Sequence, residues 1–221
     1  MFITTLLRRS LVFLCIMTTL TCAYTGALTL TGKALFPFQA EGSIITANGK
    51  HYSTLLGQPF AAANHLWGRP VSVDSTTYTH NGKPLLYAGP SNKSPATAQY
   101  AAVVQERAAR IRMAHPEKSD QPIPVDLLTE SGSGLDPHIS PAAAEFQVQR
   151  LARATGFTVA EVRRTIAMYT QGRTLGLLGE ARVNVLNVNL ALDGLLPNGR
   201  AIAGSDGNSA ALSGNIAAHA R

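Results

Sequence analysis

The chain has 221 residues, enough for one domain of ordinary size with appendages. Its 19 lysines and arginines outnumber 13 aspartates and glutamates, for a net charge of +6, but only 14% of residues are charged and the basic ones are scattered. With no basic patch and no aromatic residues interleaved with one, the composition argues against a nucleic-acid partner. Both cysteines, Cys15 and Cys22, fall in an N-terminal apolar run, so the remainder carries no thiol chemistry. Two positions on one helix face do not join in a disulfide.

From Ser10 to Gly32 there is no charged residue. The run exceeds the roughly 20 residues that span a bilayer, and 10–32 is read as a transmembrane helix. Arg8 and Arg9 before it, against Lys33 after it, place residues 1–9 in the cytoplasm and the rest outside. A cleaved signal peptide would need a shorter apolar region and a better cleavage site than Thr21-Cys22-Ala23. Thr18, Thr19, Thr21, Gly26 and Thr29 make the span less oily than a lone anchor, as helix–helix contacts in membranes require. Phe36 and Phe38 suit the membrane–water interface.

Residues 33–193 are read as one small mixed α/β extracytoplasmic domain of the α+β class. Ser43 to Leu56 predicts a hairpin around Asn48-Gly49. Phe60 to Ser91 reads as irregular, its aromatic residues, Trp67 among them, pinning a long loop to the core. Ser94-Pro95 predicts a helix start, with Tyr100, Val103, Val104, Arg107, Ala108 and Ile111 at helical spacing and Pro116 beyond the end. Ser140 and Pro141 predict a second helix, ending at Gly156 and carrying Ala144, Val148, Leu151 and Ala152 inward. Thr158 and Glu161 form a capping box for a third, with the stripe Val159, Val162, Ile166 and Tyr169. Glycines 172, 176 and 179 mark an open turn. The segment RVNVLNVNLALD, 182–193, alternates like a strand until its phase shifts at Val185-Leu186, which suggests a bulge or a strand turning into a helix. Residues 194–221 read as a disordered tail.

The stretch Thr129–Ala152 organises the chain: a Gly, Ser, Asp, Pro and His loop fixed onto a helix N-terminus. Ser131, Gly132, Ser133, Gly134, Asp136, Pro137, His138, Ser140 and Pro141 make up the motif. It could cradle an anion or present a rigid docking surface. A phosphate loop would need a lysine that is missing, and G-x-x-x-x-G-K-[ST] is absent. No H-x-x-H or H-E-x-x-H pattern offers a metal site, and Asp136 before Pro137 is better suited to a turn that bonds nearby backbone N–H groups. A membrane-anchored extracytoplasmic hydrolase with Ser133 as nucleophile and His138 as base is the alternative function, although Gly132-Ser133-Gly134 is too short for a nucleophile elbow.

LFPFQAEGSII, LLGQPF, WGRP, GPSN, VDLLTESGSGLDPHISPAAA, QRLA and RVNVLNVNLALD occur in this order. With the single N-terminal span, they make the chain resemble the C subunit of the Kdp-type high-affinity potassium-transporting P-type ATPase of bacteria. Departures are confined to the region of Tyr87-Ala88-Gly89 and the tail after Asp193. The resemblance implies a single-pass inner-membrane subunit that is not an enzyme by itself. Its implied partners are a channel-like potassium-binding subunit, a P-type ATPase subunit and a very small membrane subunit, besides membrane lipid. It implies no tightly bound cofactor, with potassium carried by a partner. The family is described as chaperone-like, raising the ATP affinity of the ATPase subunit, and Gln147 is the position implied to contact nucleotide. Setting aside Arg8 and Arg9 from the 19 basic residues leaves 17 against 13 acidic ones, too weak a field to concentrate potassium at long range.

Overall fold

The computed structural model describes residues 2–198, and the expected tail beyond Asn198 lies outside the described residues. The chain forms two compact units, one up to Ile45 and one from Thr46.

In the first, α1 (Phe2–Leu35) is one unbroken helix of 34 residues with none of its side chains buried. At 1.5 Å per residue it is about 50 Å long, which exceeds the hydrocarbon thickness of a bilayer. Its length and apolar composition suffice to cross a membrane. Cys15 and Cys22 are free thiols on it. Thr19 Oγ1 donates to Cys15 O at 2.8 Å, so this hydroxyl is satisfied within the helix. A short helix, α2 (Pro37–Ala40), follows with proline in its first turn, where no N–H is needed.

Strands β1 (Ile44–Ala47) and β2 (Lys50–Ser53) pair around Asn48-Gly49, both at positive φ, the predicted hairpin. A second hairpin, β3 (Val73–His80) with β4 (Lys83–Ala88), occupies part of the stretch expected to be irregular. Asn81-Gly82, at φ 51° and 72°, makes its turn. A bulge between Asp74 and Tyr78 and a proline in β4 blur the alternation that would have announced it.

The next helix, α3 (Ala98–Ala114), is capped by Thr97, whose hydroxyl accepts from Tyr100 N, rather than by Ser94. Ser94 instead closes the preceding turn, accepting from Ala96 N. Of the six inward positions expected on it, Ile111 alone is fully buried. Strand β5 (His138–Ile139) runs into α4 (Pro141–Phe146), capped by Ser140 as expected. The single helix expected to Gly156 is two. At Gln147, φ −93° and ψ −7° break it, and α5 (Val148–Thr155) continues to Gly156, a left-handed cap at φ 72°. The capping box at Thr158 and Glu161 starts α6 (Val159–Met168). Val162, Thr165 and Ile166 face inward there, while Val159 is exposed because it is the first helical residue.

Strands β6 (Thr170–Gln171) and β7 (Arg182–Asn184) are antiparallel, and β7 is central in the order β5-β7-β6. At Asn184 the strand becomes α7 (Val185–Leu192), because the Asn184 side chain accepts from Asn187 N and caps the new helix. The phase shift at Val185 therefore marks a change of element, with no bulge. Residues 194–198, expected to belong to the tail, carry packed and hydrogen-bonded positions. Leu196 is buried, Asn198 Nδ2 donates to Ala191 O, and Tyr169 Oη donates to Pro197 O, with burial pushing the phenol up to about 12. The core lies among α4–α7 and β7, with Leu66, Ile111 and Leu127 reaching in from other segments.

Candidate functional site

The 131–141 loop is held by its own side chains. Ser131 Oγ accepts from Asp136 N, Ser133 Oγ accepts from Leu135 N, and the two hydroxyls lie 3.2 Å apart. Asp136 Oδ1 accepts from His138 N at 2.9 Å, closing the turn its position before Pro137 suggests. The loop also docks onto other segments: Gly57 N donates to Leu135 O, Ser72 N to Gly134 O, and Val185 N to Pro137 O. Gly134 stands at φ 74°, and a Cβ there would come within 2.3 Å of Gly89 O. Asp126 Oδ2 accepts from Ser140 N at 2.8 Å, so this carboxylate steadies the helix start.

Ser133 and His138 are turned to different partners. Asp136 Oδ1 is 3.4 Å from His138 Nδ1, and Asn184 Nδ2 is 3.5 Å from its Nε2. Burial is the main cause that lowers the His138 pKa, against the raising effect of Asp136. A nucleophile needs its base in hydrogen-bond reach. Ser133 Oγ has Ser131 and Leu135 N instead.

Arginines tie the loop to the flank. Arg69 Nη2 donates to Glu130 O, and its Nη1 lies 3.9–4.0 Å from Asp136 and Asp126. Arg107 donates to Leu128 O and pairs with Glu130 Oε1, holding the Glu130 carboxyl below the usual carboxylate range. A groove of about 420 Å³ between the 58–71 segment and α3 is lined by Phe60, Trp67, Arg69, Glu106, Arg107 and Arg110. Arg69 and Arg107 are bonded to Glu130 and neighbouring carbonyls, while Arg110 lies 5.5 Å from the centroid of the Trp67 ring. Among the described residues, no group of three His, Cys, Asp or Glu side chains is gathered as a metal would require.

Behind the loop lies a buried polar cluster. Gln147 is fully buried. Its Oε1 accepts from Trp67 N at 2.8 Å and from Arg150 Nη2 at 2.6 Å, and its Nε2 donates to Trp67 O at 2.9 Å and Ala143 O at 3.2 Å. Asn189 treats Leu66 in the same way, accepting from its N–H at 2.6 Å and donating to its carbonyl at 3.0 Å. Two side-chain amides thus grip consecutive residues of a segment that has no strand partner, satisfying backbone groups that burial would otherwise leave unpaired. Arg150, 4% exposed, donates to His115 Nε2, Ala63 O, His65 O and Gln147, and lies 4.3 Å over the Trp67 ring. Burial pushes the guanidinium pKa down to about 10, so it stays charged at neutral pH.

Because Arg150 can only donate, His115 Nε2 must accept, and its Nδ1–H donates to Ile111 O at 2.7 Å. His115 is therefore neutral in the fold, and burial is the main cause holding its pKa below 6.5. The unfolded chain takes up a proton near pH 6.5, whereas the folded chain does not until lower pH. Stability present above pH 6.5 drains away as pH falls below it, by up to about 1.4 kcal/mol per unit for this one group. Thermal melts between pH 7.5 and 5.5 should show that slope, and His115→Gln should flatten it; an unchanged slope would count against a neutral buried His115.

Gln147→Leu keeps the volume but strips four hydrogen bonds. With Trp67 N–H and O left unpaired, a loss of about 3 kcal/mol is expected in urea unfolding, with red-shifted tryptophan fluorescence.

Of the residues picked from sequence, Ser131 to Pro137 form one loop that runs through β5 and the Ser140 cap into α4 at Pro141, and Gln147 belongs to the buried cluster. Arg69, His115, Arg150 and Asn189 escaped notice, since a charged or polar residue in an amphipathic segment reads as solvated. The available signal was position: Gln147 is three residues before Arg150 and four before Leu151, next to the inward stripe.

The family model described as KdpC, K+-transporting ATPase, c chain, matches residues 7–194. A protein of Clostridium botulinum is 52% identical over 175 residues, covering 78% of this chain and 87% of its own. One of Sorangium cellulosum is 50% identical over 190 residues, covering 85% and 97%. One of Clostridium perfringens is 48% identical over 195 residues, covering 86% and 98%. All three are named potassium-transporting ATPase KdpC subunit. With a match across nearly all described residues and about half of all positions shared with these relatives, the chain belongs to the family of K+-transporting ATPase c chains.

Proposed function

We propose that this chain is the non-catalytic accessory subunit of an ATP-driven, high-affinity potassium uptake complex of the bacterial inner membrane. Alpha-helix α1 anchors it, and the domain after it stands on the periplasmic side, as Arg8 and Arg9 before the span favour. Its partners are the channel-like potassium-binding subunit, the P-type ATPase subunit and the small membrane subunit, and the 131–141 loop braces the domain for docking. The observation that carries this reading is the family match over residues 7–194, which includes the span. Purification from native membranes in mild detergent should bring the P-type ATPase and channel-like chains along; their absence would overturn it. A reporter fused after Asn198 should be active only outside the cytoplasm.

For the chaperone role, we propose that Gln147 acts through the segment it holds. Its amide already serves Trp67, Ala143 and Arg150, so contact with ATP would break those bonds. Asn189 holds the adjoining residue, so Gln147→Leu and Asn189→Leu should alter the complex's KM for ATP alike. An effect of Gln147→Leu alone would favour direct nucleotide contact.

A further inference from the structure

The hairpin between β6 and β7 ends in an apolar tip. Leu175, Leu177 and Leu178 are 86%, 80% and 63% exposed, three large aliphatic side chains within four positions. Elsewhere among the domain's described residues, exposed large apolar side chains such as Met113 and Val125 occur in ones and twos, which is ordinary. The tip is also built to hold one shape. Thr174 and Leu178 exchange backbone hydrogen bonds at 2.8 and 2.9 Å, Gly176 N donates to Arg173 O, and Leu177 N donates to Thr174 O. Arg173 Nη2 clamps both carboxylate oxygens of Glu180 at 2.8 Å. Leu175 itself sits at φ 55°, which a bulky residue rarely adopts, with Gly176 and Gly179 at 74° and 77°. The base is rooted in the sheet, where Thr170 pairs with Val183 and Gln171 with Arg182.

We propose that Leu175, Leu177 and Leu178 form a preformed plug that seats in a nonpolar pocket on another protein chain of the potassium-transport complex; this rests on the subunit reading above. Four backbone N–H groups of the tip are already bonded within it, so they can leave water without going unpaired. Its charges neutralise each other. A fixed shape suits a pocket of matching shape, because little conformational freedom is lost on binding. A lipid surface is matched less well. From Gly172 to Ala181 there is no aromatic residue and no lysine, and the one arginine is paired with Glu180. Three leucines are too small to hold a second copy of the chain, since stable dimers bury roughly 1,200 Å² or more. They suffice as an anchor between chains already confined to one membrane, where effective concentration is high.

The test uses the full chain in the membranes of cells expressing the whole complex. Leu177→p-benzoylphenylalanine should, on irradiation, give an adduct that mass spectrometry identifies as another chain of the complex. The exposed control Met113→p-benzoylphenylalanine should not give the same adduct. Leu177→Ser with Leu178→Ser should lower recovery of that chain in mild detergent about tenfold or more, with an unchanged melting temperature. Crosslinks to lipid, to a second copy or to residues 199–221 overturn the proposal, as does undiminished recovery with the double variant. If the unaltered chain recovers no transport chain at all, it is the subunit reading that fails, and the plug falls with it.

Discussion

Arg150→Ala should destabilise the domain by about 3–5 kcal/mol, the largest loss expected from any single side chain in it. The substitution leaves His115 Nε2 and the carbonyls of Ala63 and His65 without their donor, and takes one donor from Gln147 Oε1. Each buried group so exposed to loss costs about 1–3 kcal/mol. A cavity under the Trp67 ring adds to this. One effect opposes it: Arg150 is a buried cation with no carboxylate in hydrogen-bond contact, and removing it relieves a desolvation cost. The number of acceptors it serves decides the sign. Arg150→Met, which fills the space but donates nothing, should recover only the cavity share. Urea unfolding followed through Trp67 measures both, and a shift in melting temperature of about 10 °C should accompany the alanine change. A loss below about 1 kcal/mol would mean that the cluster does not hold the 63–67 segment.

Gly134→Ala should cost about 3 kcal/mol or more, while Gly132→Ala, two residues earlier, should stay within about 0.5 kcal/mol. The contrast is geometric. A methyl at Gly134 meets Gly89 O at 2.3 Å and Ser72 O at 3.0 Å, both backbone atoms, whereas one at Gly132 meets nothing within 4 Å. The left-handed conformation at φ 74° adds about 1–2 kcal/mol for any residue with a Cβ. Because Ser72 N donates to Gly134 O, the strain would pull apart the seam between the loop and residues 72–89. Comparable stabilities of the two variants, read from denaturant midpoints, would show that the loop yields without disturbing its neighbours.

Much of the architecture could be read from short-range chemistry. The uncharged run 10–32 announces α1, and Ser140, Thr158 with Glu161, and Gly156 mark helix ends through bonds spanning three or four residues. Asp136 before Pro137 announces the turn that the loop makes. The change of phase at Val185 announces a change of element, though only Asn184 capping α7 says which. Where local signals compete, reading fails: Ser94 and Thr97 are both good caps, and Thr97 is the one that reaches a free N–H. The β3–β4 hairpin was hidden by its bulge and its proline.

By itself, then, the sequence determined the long apolar helix, the helix caps, the loop's internal turn and the family, because each depends on residues close together or on the order of motifs. Only the tertiary structure decided that Arg150 and Gln147 are buried, that the helix breaks at Gln147, and that the leucines of the β6–β7 tip point into solvent. Gln147 reaches Trp67 across 80 positions and Asn189 reaches Leu66 across 123. A charged or amide side chain can be taken from water only where distant backbone groups arrive to replace its hydrogen bonds, and that arrival is a property of the folded chain.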